Sequence, residues 1–205
     1  MRFPFLRSAV ALAALALATS VRADPLVNNT GLTAPGTTIT FSEVVLATDT
    51  PVTNQFASFG ATFSPNLYYD PQAGLFPTPA LGNYNNSSFP LINPASILFT
   101  QDVTAAAVAV QTGTGTTAFT ALLDGVVVET FTAPTDSFGG NASNFYGFTN
   151  IVFNELRIQA NPAFVIDNLQ FNVSGAAAIP EPGTLALLLV GGLTTSAGFL
   201  RRRRA

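Results

Sequence analysis

The chain runs to 205 residues, 48% of them hydrophobic and only 9% charged, which is apolar enough to fill the core of a single domain. It has no cysteine and no histidine, so disulfides, Cys/His zinc clusters and nucleophile–histidine pairs are excluded. The eight basic residues crowd towards the ends, leaving residues 24–174 with Arg157 alone against ten carboxylates; that net charge of −9 argues against nucleic acid or anionic lipid as a partner.

Residues 1–23 read as a secretory signal peptide. Arg2 and Arg7 form a basic start, residues 9–18 an alanine–leucine helix, and Val21-Arg22-Ala23 a small-residue stretch with the cut between Ala23 and Asp24. The expected first partners are therefore the secretion machinery and signal peptidase. From residue 24 onwards helical periodicity is almost absent, and short β-prone runs alternate with Gly, Pro, Asn and Thr clusters. Strands are predicted over 37–43, with Ile39 and Phe41 on one face, and over 61–64. Between them, residues 50–59 have room for one helical turn, because Val52, Phe56 and Phe59 are spaced by four and three.

Residues 65–94 hold Pro65, Pro71, Pro77, Pro79, Pro90 and Pro94 among many asparagines. Proline cannot donate to a sheet ladder, so this stretch predicts a long surface excursion without central strands. Further strands are predicted over 97–100, 104–111, 116–123, 126–131, 148–153, 156–160 and 164–173. The clearest local feature is Asp124-Gly125 between two β-prone runs, a hairpin signal, because both central turn residues need positive φ. Together these elements predict an all-β domain over 24–174, an antiparallel two-sheet sandwich of jelly-roll type. An N-terminal signal helix and a C-terminal transmembrane helix are expected to flank it.

Residues 175–179 form a short linker into the segment 180–205. Within that segment residues 183–200 carry no charge, and as a helix they would span about 27 Å, enough for a hydrocarbon core of about 30 Å. Arg201, Arg202, Arg203 and Arg204 behind the run place that end in the cytoplasm. The order Pro180-Glu181-Pro182, Gly183-Thr184, a glycine-bearing apolar span and a terminal arginine run resembles the PEP-CTERM sorting signal of Gram-negative bacteria. The resemblance implies recognition by an exosortase, a membrane cysteine protease, and cleavage near Pro180, Glu181 and Pro182. It further implies transient anchoring in the inner membrane, then delivery to the cell surface or the exopolysaccharide matrix. The body is similar, less specifically, to secreted sandwich domains related in architecture to carbohydrate-binding modules. That likeness lies in Ile39-Thr40-Phe41-Ser42-Glu43, in Thr50-Pro51-Val52-Thr53-Asn54-Gln55-Phe56 leading to Phe59-Gly60-Ala61-Thr62-Phe63, and in Phe164-Val165-Ile166-Asp167-Asn168-Leu169-Gln170-Phe171.

Two carboxylates stand where strands predict apolar side chains. Glu43 continues the face of Ile39 and Phe41. Around Asp167 the alternation slips, so either a bulge lies at Asp167-Asn168 or Asp167 points inward with Leu169. One arginine cannot serve both freely, and a structural calcium, which takes about six to eight oxygen ligands, answers the need; solvated positions at strand ends are the alternative. A second group joins Tyr68, Tyr69 and Asp70 to Asn83, Tyr84, Asn85 and Asn86, with Asn141 and Tyr146 further on. Tyrosine faces stack on sugar rings and amides fork onto hydroxyls, which makes a candidate glycan patch; the alternative is that these aromatics pin a proline-rich loop to its own domain. No catalytic residue is assigned and no enzyme activity is expected. Glu43, Glu129 and Glu155, the carboxylates a glycosidase would draw on, all fall on or beside strands as solvent-face positions. The expectation is an exported, exosortase-processed surface or matrix protein with a structural or adhesive role in exopolysaccharide. A carbohydrate-binding module is the rival reading, and a polysaccharide-degrading enzyme stands behind it.

Overall fold

The computed structural model describes residues 23–70, 79–85, 93–113, 115–138, 144–160 and 163–175. The expected signal peptide 1–23, apart from Ala23, the expected sorting segment 180–205 and both expected terminal helices lie outside these residues. Among the described residues no helix is long and apolar enough to cross a membrane.

The described residues are all-β. The strands are β1 (Asp24–Asn28), β2 (Thr37–Ile39), β3 (Pro51–Val52), β4 (Ala61–Phe63), β5 (Leu67–Tyr69), β6 (Leu81–Gly82), β7 (Ala95–Thr112), β8 (Thr116–Leu123), β9 (Val126–Pro134), β10 (Asp136–Ser137), β11 (Phe145–Thr149), β12 (Phe153–Gln159) and β13 (Phe164–Val173). One hydrogen-bonded network joins them in the order β3-β5-β6-β13-β7-β12-β8-β9, and its pairs are antiparallel except for β10 beside β7.

The long strand β7 organises the network. Its first half pairs with β4 and β12, and its second half with β13 and β11. The sequence predicts two strands here, on either side of exposed Gln101 and Asp102; the strand runs on through them across an irregularity, where the β12 register jumps from Leu98 to Val103. Two wings result, and their aromatic rings meet. Phe119 of β8 stacks on Tyr146 of β11 at 5.2 Å, and Phe131 of β9 meets Phe148 of β11 edge-on at 5.1 Å. Phe99 of β7 links Phe153 at 5.9 Å to Phe171 at 5.1 Å. A second knot of Phe41, Phe56 and Phe63, with centroids 5.4 to 6.0 Å apart, closes the side near β4. Pairs in such geometry contribute about 0.5–1.5 kcal/mol each beyond the area they bury.

The second half of β7 is covered on both faces, which is why its sequence is a near-continuous apolar run. Ala106, Val108 and Val110 join the main core, while Ala105 and Ala107 pack under Leu32, Leu26 and Phe145. The Leu32 N–H donates to Gln170 Oε1 at 2.7 Å and holds that cover in place.

Several expected elements are corrected. The strand predicted over 37–43 ends at Ile39, because Phe41 takes a φ of 61° and turns the chain while its ring stays buried. The run 148–153 straddles a turn: β11 stops at Thr149, Asn150 has φ 60°, and β12 begins at Phe153. The helical turn shrinks to a 3-10 turn at Ala57–Phe59, preceded by β3. The proline-rich stretch is not only an excursion. It supplies β5 and β6, and β6 lies inside the strand order, between β5 and β13. Strands this short fit between the prolines, so no proline N–H is missing from a ladder.

Candidate functional site

Glu43 follows the turn at Phe41 instead of extending a strand. It is exposed, and its Oε1 accepts the Thr40 N–H at 2.7 Å and the Thr40 hydroxyl at 3.0 Å, so the carboxylate caps its own turn. Asp167 is buried on β13 opposite Ala109, and its Oδ1 accepts the Asn168 N–H at 2.7 Å. Asn168 has φ 51°, and the register jumps from Asp167–Ala109 to Gln170–Ala107. The bulge is present, and Asp167 is buried, but on the face of Ala109 and Val165, opposite to the core face of Ile166 and Leu169, so it does not point inward with Leu169. Arg157 is engaged elsewhere: its Nε and Nη2 donate to Glu155 Oε1 at 3.0 and 2.8 Å, and the Ser96 hydroxyl donates to the same oxygen at 2.6 Å. Glu129 is half-buried, with Oε1 accepting the Thr130 N–H at 3.0 Å. Among the described residues no three Asp, Glu, His or Cys side chains gather as a metal cage. A calcium ion at Glu43 or Asp167 would therefore draw most of its ligands from carbonyl, hydroxyl and amide oxygens.

The expected glycan patch is largely turned inward. Tyr69 sits buried on β5, where burial first and the charge of Asp70 second push its phenol up. Tyr84 is buried against Phe138, edge-on at 6.4 Å, and burial pushes its phenol up to about 12. Tyr146 lies under Phe119, as described above. Asn83 is fully buried and its Oδ1 accepts the Phe164 N–H at 2.9 Å, fastening β6 to β13. These buried rings present no face to a sugar; Tyr69 and Tyr84 fix the proline-rich stretch to its own domain, and Tyr146 packs β11 against β8. Tyr68, Asp70 and Asn85 remain half-buried at the surface, while Asn86 and Asn141 lie outside the described residues.

A different site emerges at one end of the molecule. After the Asp124-Gly125 turn, with φ of 50° and 80°, come Val126, Val127 and Val128. All three are exposed. A bulge between β8 and β9 pairs Ala121 with Glu129 and Leu122 with Val127, leaving Val128 without a cross-strand partner. Val128 lines an open cleft of about 530 Å³ with Thr104, Asn150, Ile151 and Val152. Polar bridges surround it. Asn154 Nδ2 donates to Asp124 Oδ1 at 2.8 Å and to Asp102 Oδ1 at 3.3 Å, and its own Oδ1 accepts the Asp124 N–H at 3.0 Å. The Ser174 N–H donates to the Asp102 carbonyl at 2.7 Å, and Asn150 Nδ2 donates to Asp24 Oδ2 at 2.8 Å. β1 thus begins bonded to the cleft wall, and the residue after β13 is bonded to Asp102, two positions along β7 from Thr104. Sequence reasoning missed this site, although three successive valines cannot all face the core of a strand with a two-residue period.

No family model, curated protein or solved structure matches this chain.

Proposed function

We propose that the chain is an exported surface or extracellular-matrix protein, processed by an exosortase at its C-terminal segment, with a structural or adhesive role in exopolysaccharide. One observation carries the reading: the order Pro180-Glu181-Pro182, uncharged residues 183–200 and four closing arginines follows directly on a body that is already closed. β13 ends at Val173, Ser174 is fastened to Asp102, and five residues, 175–179, separate that fastening region from Pro180. A protease acting near Pro180 would cut after the last described strand. Two prolines around Glu181 disfavour helix there and leave the extended backbone that proteases bind.

For the body we infer a two-layer, jelly-roll-like sandwich. Its wings share β7 and face each other through Phe119, Tyr146, Phe131 and Phe148. The inward tyrosines favour a structural role over a lectin-like one, since stacking rings must be exposed to meet a sugar. Glu181→Ala and Pro182→Ala variants expressed in the native host test the processing step. Each is expected to accumulate as full-length protein in the inner-membrane fraction, and normal processing of both would overturn the exosortase reading.

A further inference from the structure

The valine cleft lies where the chain both enters and leaves the body. Asp24, the first residue of β1, is bonded to Asn150 on the cleft wall. Ser174, just after β13, is bonded to Asp102, and Asn154 joins Asp102 to Asp124 at the hairpin tip. In the sequence, the segments beyond these two points are the chain's two long apolar runs, 9–18 and 183–200. Eight residues, 175–182, separate Ser174 from Gly183, a reach of about 30 Å when fully extended. A tail anchored in a bilayer therefore keeps this end of the body close to the lipid.

We infer that the hairpin tip, with Val126 and Val127 exposed on its two sides and Val128 and Val152 in the adjoining cleft, is a membrane-resting tip, which settles on a neutral phospholipid surface while the C-terminal segment is anchored. An exposed apolar patch rimmed by polar side chains marks a contact surface. Here Asn150 lines the cleft and holds Asp24, while Asp124 belongs to the hairpin turn itself and is joined through Asn154 to Asp102; these five are the polar groups beside the valines. Charge selects the lipid. Three of the five are acidic, and Arg157, the only basic residue of 24–174, is held by Glu155. Anionic headgroups would be repelled, and zwitterionic ones would not. Four valines alone make a weak membrane anchor, but the tether supplies a high effective concentration, so a weak contact is occupied. The inference rests on the anchoring reading above and adds an orientation to it.

The full chain has no cysteine, so a single one can be introduced and labelled with an environment-sensitive fluorophore. Val127→Cys and Val126→Cys probe the face, at positions 56% and 66% exposed. Val45→Cys, 90% exposed between β2 and β3, is the control, because β3 ends the strand order opposite to β9. Each protein is reconstituted into phosphatidylcholine vesicles carrying lipid-attached quenchers, and insertion is checked by carbonate extraction. The expected result is quenching several-fold stronger at 126 and 127 than at 45, falling when phosphatidylglycerol replaces part of the neutral lipid. Equal quenching at all three sites in carbonate-resistant protein would overturn the orientation and leave the anchoring reading standing. Protection that rises with the protein-to-lipid ratio would overturn it in favour of a second copy on the valines. Release of the protein by carbonate would overturn both.

Discussion

At Gly147 a hydrogen atom sets the spacing between two strands. A Cβ there would lie 1.9 Å from the Ala106 carbonyl oxygen and 2.7 Å from the Ala107 Cα, backbone atoms that cannot swing aside. Gly147→Ala is therefore expected to push β11 off β7 and to lose ~1–3 kcal/mol or more, read as a lower denaturation midpoint. An unchanged midpoint would mean that the two strands are not so close. Asp70 offers a test by pH. Burial first, and the neighbouring charge of Asp49 second, hold its carboxyl above the ordinary range. The folded state thus binds this proton more tightly than the unfolded state does. The resulting stability is present below the ordinary carboxylate value and is lost as pH rises through the raised one. Asp70→Asn should melt higher than the parent near neutral pH, with the gap narrowing as the buffer is acidified; a gap independent of pH would contradict the assignment. Single residues were also where the sequence misled most. A tyrosine beside asparagines reads equally well as a sugar platform or as a core ring, and only the partners of Tyr69, Tyr84 and Tyr146, distant in sequence, decide.

Among elements, the β8–β9 hairpin was the most legible, since its turn chemistry is local. Asp124 and Gly125 both adopt positive φ, and the strands pair from Leu123–Val126 back to Thr116–Pro134. A Cβ on Gly125 would meet nothing within 4 Å, so Gly125→Ala should lose only the backbone term, ~1 kcal/mol, without disturbing the core. A loss several times larger, or a changed core fluorescence, would point to a packing role that the geometry lacks. Elements fixed by distant partners were harder to read. β5 and β6 are only three and two residues long, and they are held by pairing of Tyr69 with Leu81 and of Leu81 with Ile166 on β13, partners that no local pattern announces. β1 carries Pro25 and polar ends, yet its full length lies along β11. The break expected near residue 101 survives only as an irregularity inside one strand, because β12 pairs with β7 on both sides of it, at Leu98 and again at Val103.

For the whole molecule, the all-β class followed from composition and from the scarcity of helical spacing. The sharing of β7 by two wings did not, because no local signal tells a strand to change partners midway. The common end for chain entry and exit was equally hidden, yet it gives the flanking segments a joint meaning. A signal peptide and an anchor that attach to one end of a body can both serve the same membrane face during export. On this account residues 1–23 are removed before β1 docks, since Ala23 is buried in the folded chain and Asp24 already belongs to the strand. The most direct test is the intact mass of the mature protein purified from its host, with both terminal peptides sequenced. The account predicts an N-terminus at Asp24 and a C-terminus near Pro180 to Pro182, without the four arginines. A mass that includes Arg201 to Arg204, in protein resident in the inner membrane, would contradict it.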